Sequence, residues 1–286
     1  MSLTMLATLT LSILIGVSLG LLGGGGSILT VPILTYVAGL DPKEAIAASL
    51  FVVGATSAIG AVNHARNQRV KWRTGLIFGA AGMVGAFGGG LAGGYIPGAV
   101  LMLAFALMMI ATSMAMILGK KKPTAPNGER VLPIARIILD GLVVGAVTGL
   151  VGAGGGFLVV PALALLGGLS MPVAVGTSLV VITMKSFAGL AGYLSSVHMD
   201  WTLVSAVTIA AIAGSLIGSR LIGVIPEDAL KKGFGVFVLV MGVFVLVHES
   251  TDSVVGALIS ALAAIVAAGT CWGAVPNCPL RTTAQA

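Results

Sequence analysis

The sequence predicts an all-α polytopic membrane protein, and three observations lead to that fold class. Of 286 residues, 57% are apolar and only 8% are charged, and the mean hydropathy is +1.12. Soluble domains carry about 25% charged residues, so this composition excludes a soluble globule. Apolar stretches about as long as a membrane-spanning helix recur along the chain. A transmembrane barrel would instead show alternating segments of about ten residues. With two cysteines, both near the C-terminus, a disulfide scaffold is excluded as well.

Apolar runs follow one another along the chain, and most are long enough to cross a bilayer as a helix. They lie at 3–22, 28–38, 45–62, 75–94, 99–118, 131–151, 157–169, 173–197, 203–224, 233–247 and 254–268. The runs 28–38 and 157–169 are too short to cross about 30 Å of hydrocarbon at about 1.5 Å per residue. Each short run, with the run before it, is therefore predicted to form a broken or re-entrant element. Seven crossings with two re-entrant hairpins and eleven crossings both remain open.

The chain is an internal duplication. A shift of 129 positions aligns residues 20–97 with 149–226 without a gap, and 24 of these 78 positions are identical. Chance identity among Gly, Ala and Leu would not keep Pro32, Trp72 and Pro97 in register with their counterparts Pro161, Trp201 and Pro226. We therefore predict a first transmembrane repeat at 1–118, a cytoplasmic linker at 119–130, a second repeat at 131–247, and an extra apolar segment and tail at 248–286.

The charges of two equivalent loops predict that the repeats have inverted topology. The loop from Arg66 to Arg73 carries four basic residues, whereas its counterpart from Ser195 to Thr202 has no Lys or Arg and one Asp200. Short basic loops stay in the cytoplasm, so the first loop is predicted inside and the second outside. Transporters with inverted repeats hold their substrate near the membrane midplane, between the repeats.

Two glycine-rich stretches are the strongest candidates for a ligand site. Unwound backbone at membrane depth is tolerated where it is buried in protein or lines a wet cavity, and glycine lets main-chain amides approach a ligand closely. The following short runs would also aim helix N-termini at that cavity, which suits a small anion. The residues predicted to offer backbone donors are Gly25, Gly26, Ser27, Gly154, Gly155 and Gly156. Simple helix packing is the alternative, and it is the preferred explanation for Gly85, Gly89 and Gly93.

Lys185 is predicted to supply the positive charge of the site. It lies near the middle of an apolar run with no acid close by, and a lysine at a helix centre costs roughly 2.5 to 3.5 kcal/mol to insert. Its ammonium could bind an anion or exchange a proton; the alternative is a lysine that snorkels to an interface. Its repeat counterpart is Thr56. Ser49, Thr177 and Ser178 are predicted to orient the anion, unless their hydroxyls only bond their own helices.

Enzyme chemistry is not expected. The three histidines and two cysteines form no metal-binding pattern, and no nucleophile with a positioned base is visible, so we predict no catalytic residue, no metal and no cofactor. The net charge of +6 resides in short loops, which indicates orientation in the membrane and not nucleic acid binding.

The duplicated motif resembles the TauE/SafE sulfite-exporter (TSUP) transporter family. The resemblance rests on Gly20-Leu-Leu-Gly-Gly-Gly-Gly-Ser-Ile-Leu-Thr-Val-Pro32 and its echo Gly149-Leu-Val-Gly-Ala-Gly-Gly-Gly-Phe-Leu-Val-Val-Pro161, and it covers about residues 5–247. Members are linked to movement of sulfite, sulfonates and related small organic anions. The resemblance thus implies export of a sulfur-containing oxyanion from the cytoplasm, with substrate choice varying between members.

Together these observations predict a multi-pass secondary transporter of the cell inner membrane. Its expected partners are a small anionic substrate and membrane lipids; a homodimer is left open. An anion channel that uses the same glycine-lined cavity is the alternative function.

Overall fold

The computed structural model describes residues 3–22, 25–118, 134–152, 155–161, 163, 171–220 and 227–250, and these contain helices and turns but no β-strand. A 3-10 turn at Gly25–Leu29 separates the first two α-helices. The helices are α1 Leu3–Leu22, α2 Thr30–Tyr36, α3 Pro42–Arg66, α4 Trp72–Tyr95, α5 Gly98–Leu118, α6 Ile134–Val151, α7 Gly156–Pro161, α8 Met171–Tyr193, α9 Trp201–Arg220 and α10 Glu227–Ser250.

The helices are those of a polytopic membrane protein, as predicted. Five of them, α1, α3, α4, α8 and α9, are long and apolar enough to cross a bilayer. Large apolar side chains also point outward, including Val84 and Ile209, each 68% exposed. Such a surface is stable against lipid tails and would be unfavourable in water.

Helix boundaries repeat with the offset of the sequence duplication. The first residues of α3, α4 and α5 are Pro42, Trp72 and Gly98, and each lies 129 positions before the first residue of α8, α9 or α10. The ends of α1 and α6 have the same spacing. The repeat seen in the sequence motifs is therefore also present in the helix boundaries.

Glycines let two pairs of helices pack backbone against backbone. A Cβ at Gly85 of α4 would overlap the carbonyl oxygen of Leu142 on α6, and one at its repeat equivalent Gly214 on α9 would overlap that of Ile13 on α1. Gly89 likewise meets α6. The predicted packing role of Gly85 and Gly89 is thus confirmed, while Gly93 instead makes room for the side chain of Tyr193.

The equivalent helices α3 and α8 cross each other in opposite directions. Gly60 near the end of α3 faces Leu179 near the start of α8, and Gly54 faces Ser186 further along. Gly189, later still in α8, contacts the side chain of Leu50. Contacts therefore move backward along α3 as they move forward along α8.

The basic loop and its counterpart, which has no Lys or Arg, lie at opposite ends of α8. In the basic loop, the backbone N–H of Lys71 donates to the hydroxyl of Thr177, in the second turn of α8. The loop at 194–200 follows the last residue of α8, Tyr193. Sixteen residues of helix separate Thr177 from Tyr193, a rise of about 24 Å and thus most of a bilayer core.

The short elements predicted after each glycine stretch are present. The first begins as the 3-10 turn at Gly25–Leu29, so its α-helix starts at Thr30 and not near Ser27 as predicted. The second, α7, begins at Gly156, as predicted. The two glycines that open this turn, Gly25 and Gly26, explain the delay in the first element, since glycine is about 1 kcal/mol less favourable than alanine in an α-helix.

The described residues divide into two compact units. One holds those of Met1–Leu101 and Ala125–Val224, and the other those of Met102–Thr124 and Ile225–Ala286. The first unit contains every described residue discussed below. The predicted linker at 119–130 lies outside the described residues, as does the tail from residue 251 onward with its two cysteines.

Candidate functional site: a buried lysine at a glycine turn

Lys185 is buried inside the first unit. Its side chain is 1% exposed, so it does not snorkel to the surface, and its ammonium donates a hydrogen bond to the hydroxyl of Thr148 on α6 over 3.2 Å. That hydroxyl in turn donates to the carbonyl oxygen of Val144 over 2.7 Å, which orients its lone pairs for the ammonium. Among the described residues, no carboxylate forms an ion pair with Lys185.

The ammonium of Lys185 also lies against the second glycine stretch. A Cβ at Gly155 would overlap both the Lys185 Nζ and the Thr148 side chain. Gly155 has a φ of +62°, a conformation that side chains disfavour, so the position requires glycine for two independent reasons. The next residue, Gly156, begins α7. Lys185, Thr148 and Gly155 therefore converge on one point.

Ser49 connects the first repeat to the same stretch. Its fully buried hydroxyl donates to the carbonyl oxygen of Gly152 over 2.9 Å. Gly152 has a φ of +76°, and Ile46 of α3 packs where its Cβ would be. Ser49 therefore holds the stretch against α3 at the turn that leads to Gly155.

The first glycine stretch meets the second. The 3-10 turn that contains Gly25, Gly26 and Ser27 contacts α7, and Ser27 is completely buried. The two stretches, far apart in sequence, are thus neighbours, as the prediction of a shared site requires. Gly154 lies outside the described residues.

Two predicted hydroxyls lie away from this point. Thr177 accepts the N–H of Lys71 at the basic-loop end of α8, about 12 Å along the helix axis from Lys185. Ser178, one residue on, donates to the carbonyl oxygen of Val175. Both hydroxyl-bearing residues are fully buried. Thr177 binds the backbone of the basic loop, and neither hydroxyl bonds to Lys185.

Sequence reasoning missed two residues of this region. Thr148 has an apolar repeat counterpart, Leu19, and only its contact with the lysine reveals it. Tyr193 is fully buried and donates its hydroxyl to the carbonyl oxygen of Leu150. A tyrosine at the end of an apolar run usually finds such a partner, so this signal was available in the sequence.

Comparisons with known proteins agree with this architecture. The sequence profile described as "Sulfite exporter TauE/SafE" matches residues 8–245. A "Probable membrane transporter protein" of Xylella fastidiosa (strain 9a5c) is 34% identical over 240 residues, which cover 82% of this chain and 91% of the relative. One from Methanocaldococcus jannaschii is 31% identical, with 84% and 96% covered, and YdhB of Bacillus subtilis is 26% identical, with 82% and 96% covered.

No solved structure matches the chain significantly. The family profile spans most of the chain, and the relatives are similar to it over nearly their whole length. It follows that the chain is a membrane transporter that belongs to the TauE/SafE sulfite exporter family.

Proposed function

We propose that the protein is a secondary transporter that moves a small sulfur-containing anion, such as sulfite or a sulfonate, across the cell inner membrane. Export by alternating access is the proposed mode, and no catalytic step is part of it. The observation that carries the proposal is the buried ammonium of Lys185, which has a hydroxyl partner in Thr148 and no ion-paired carboxylate among the described residues.

A buried charge needs compensation. A lysine at a helix centre costs roughly 2.5 to 3.5 kcal/mol, and one neutral hydroxyl offsets only part of that cost. A small oxyanion beside Lys185 would supply the missing opposite charge. The turn at Gly155 supports this because the missing side chain lets the main chain lie directly against the Lys185 Nζ.

The opposite directions of α3 and α8 support inverted repeats and alternating access. Two equivalent helices that run antiparallel are what an inverted duplication produces. In such a carrier, the site between the repeats becomes accessible from either side in turn. The contact between the 3-10 turn at Gly25–Leu29 and α7 supports a site between the halves.

Transport in vesicles tests the proposal. Purified protein in liposomes should take up labelled sulfite with saturation, and sulfite trapped inside should accelerate uptake from outside by counterflow. Liposomes with the Lys185→Met variant should lose this flux, while a matched Lys43→Met variant, which removes a lysine at the start of α3, should keep it. Flux that rises without saturation and shows no counterflow would favour the anion channel. Absence of flux for sulfite and for methanesulfonate would refute the proposed substrate class.

A further inference from the structure

A polar cavity lies at the basic-loop end of α3, well away from Lys185. It has a volume of about 230 Å³ and is lined by Asn63, His64, Asn67, Arg69 and Ser219. We infer that this cavity binds a small oxyanion and is the docking site from which the anion enters from the basic-loop side. The direction of entry rests on the proposed function, whereas the binding itself does not.

The lining has the chemistry of an oxyanion site. It combines the guanidinium of Arg69 with amide, imidazole and hydroxyl groups, and it contains no acidic residue. A guanidinium offers several N–H donors in a plane that fits the oxygens of sulfite, sulfonate or phosphate. The volume is below the range of about 300 to 1,000 Å³ typical of drug-sized ligands, so it suits a small anion.

His64 supplies an independent observation. Its Nδ1 is buried and has no hydrogen-bond partner among the described residues. An orphaned polar atom on a side chain that lines a polar cavity is costly unless a ligand or water satisfies it. A bound oxyanion would accept a hydrogen bond from this nitrogen when the ring carries a proton there and turns it toward the cavity.

A narrower path, lined by polar and apolar side chains alike, leads inward from this cavity. A smaller cavity of about 30 Å³ shares Asn63, His64 and Ser219 with it and reaches Thr56 and Ser57. Its volume has room for a water molecule and not for an anion. The buried hydroxyl of Ser57 has no partner among the described residues.

The inner end of that path approaches the crossing of α3 and α8. Ser57 is one helical turn from Gly54, which contacts Ser186, the neighbour of Lys185. Thr56 is the repeat counterpart of Lys185 itself. The path therefore points from the docking cavity toward the level of the buried lysine.

The equivalent place in the second repeat is filled. The counterpart of His64 is Tyr193, which is fully buried, contacts Gly93 and donates its hydroxyl to Leu150. The counterpart of Ser219 is Gly90, which lies against the backbone of Gly189. The duplication thus offers the same position twice: beside the basic loop it is an open polar cavity, whereas in the second repeat the Tyr193 side chain fills it.

A role of Arg69 in topology alone would not explain this arrangement. The positive-inside effect needs basic residues in the loop, and Arg66, Lys71 and Arg73 already supply them. The positive-inside effect does not require particular side chains next to a basic residue. Arg69 differs from Arg66 and Arg73 because it lines a cavity with His64 and Ser219.

Anion titration of purified protein in a neutral detergent tests the inference, with sulfite and methanesulfonate as probes. In a Lys185→Met background, which removes the proposed central site, binding that remains should report the docking cavity. Adding Arg69→Gln should weaken this remaining affinity about tenfold or more, because it removes a charge-assisted hydrogen bond. The matched Arg73→Gln change, in the first turn of α4 and outside the cavity lining, should leave it unchanged.

The outcomes are distinguishable from those of the proposed function. No anion binding in Lys185→Met protein, or equal losses with Arg69→Gln and Arg73→Gln, would overturn the docking site and leave the central site intact. A lipid headgroup phosphate has the same chemistry as a free oxyanion. If phosphatidylglycerol, but not phosphatidylcholine, competes with sulfite in an Arg69-dependent way, the cavity is an oxyanion site that lipid occupies. If neither lipid competes, the free anion is its ligand.

Discussion

Ser49 in the first repeat donates its hydroxyl to the carbonyl oxygen of Gly152 in the second, over 2.9 Å. This single bond joins α3 to the turn that leads to Gly155 and thus to Lys185. Because Gly152 is buried, the Ser49 hydroxyl gives its carbonyl oxygen a hydrogen bond that solvent does not readily replace.

Ser49→Ala should therefore destabilise the protein by about 1 to 3 kcal/mol, the cost of an unsatisfied buried acceptor. The measurement is the unfolding free energy in detergent. Ser12→Ala is the matched control, since the equally buried Ser12 hydroxyl only bonds a carbonyl of its own helix, that of Thr8. Equal losses of unfolding free energy in the two variants would mean that the hydrogen bond between the repeats stabilises the protein no more than a bond within one helix.

Glycines on one helix should differ sharply in their tolerance of a methyl group. Gly85→Ala would push a Cβ into the backbone of α6, whereas a Cβ at Gly88 meets nothing within 4 Å. We expect Gly85→Ala to lower thermal stability, and Gly88→Ala to leave it unchanged or raise it, because alanine favours a helix over glycine by about 1 kcal/mol. The melting temperatures of both variants in one detergent measure this. Similar values would contradict the packing of α4 on α6.

Gly155→Ala should remove the tighter anion-binding event, the one at Lys185, while the protein still inserts and folds. Its Cβ would overlap the Lys185 Nζ, and the residue would be held at a positive φ. Gly39→Ala separates the two effects, because Gly39 also has a positive φ, +75°, but nothing lies within 4 Å of its Cβ position. Sulfite titration of both purified variants is the measurement. If Gly39→Ala lost affinity as Gly155→Ala does, backbone strain and not the contact with Lys185 would be responsible.

The loops at the two ends of α8 should react from opposite sides of the membrane. Single cysteines at Arg69 and at His198, its repeat equivalent, can be introduced after Cys271 and Cys278 are replaced. An impermeant thiol reagent added to intact cells should label only the cysteine at position 198, because the basic loop is expected in the cytoplasm. Equal labelling of both positions would remove the argument for inverted repeats.

Much of the helical framework could be predicted because the same tryptophan and proline positions recur in both repeats. The repeated Trp72 and Trp201 mark the first residues of α4 and α9, and Pro97 and Pro226 each stand just before a helix. Lys185 was identifiable because its charge lies in an apolar run. Each of these features lies within a short stretch of sequence and strongly affects the free energy of folding or of membrane insertion.

The partners of Lys185 could not be predicted, because they depend on how helices rotate against each other. Thr148 lies 37 residues away and has no repeated polar counterpart. Thr177 shows the reverse case: it shares a helix with Lys185 but serves the basic loop by accepting the N–H of Lys71. Hydroxyl groups in membrane helices often bond locally, so their presence alone does not indicate a site.

The affinity of the purified protein for sulfite, compared between the wild type and the Lys185→Met variant, tests the central claim most directly. Methionine keeps a similar length and apolar fit and removes the insertion cost of the charge, so the variant should fold at least as well. Lys185→Arg should retain part of the affinity, since a cation remains, although its wider fork fits less well. We predict that Lys185→Met loses the tighter binding event by at least about a hundredfold, as expected for a buried charge-assisted contact worth about 3 kcal/mol. Unchanged tight binding in Lys185→Met would contradict the account.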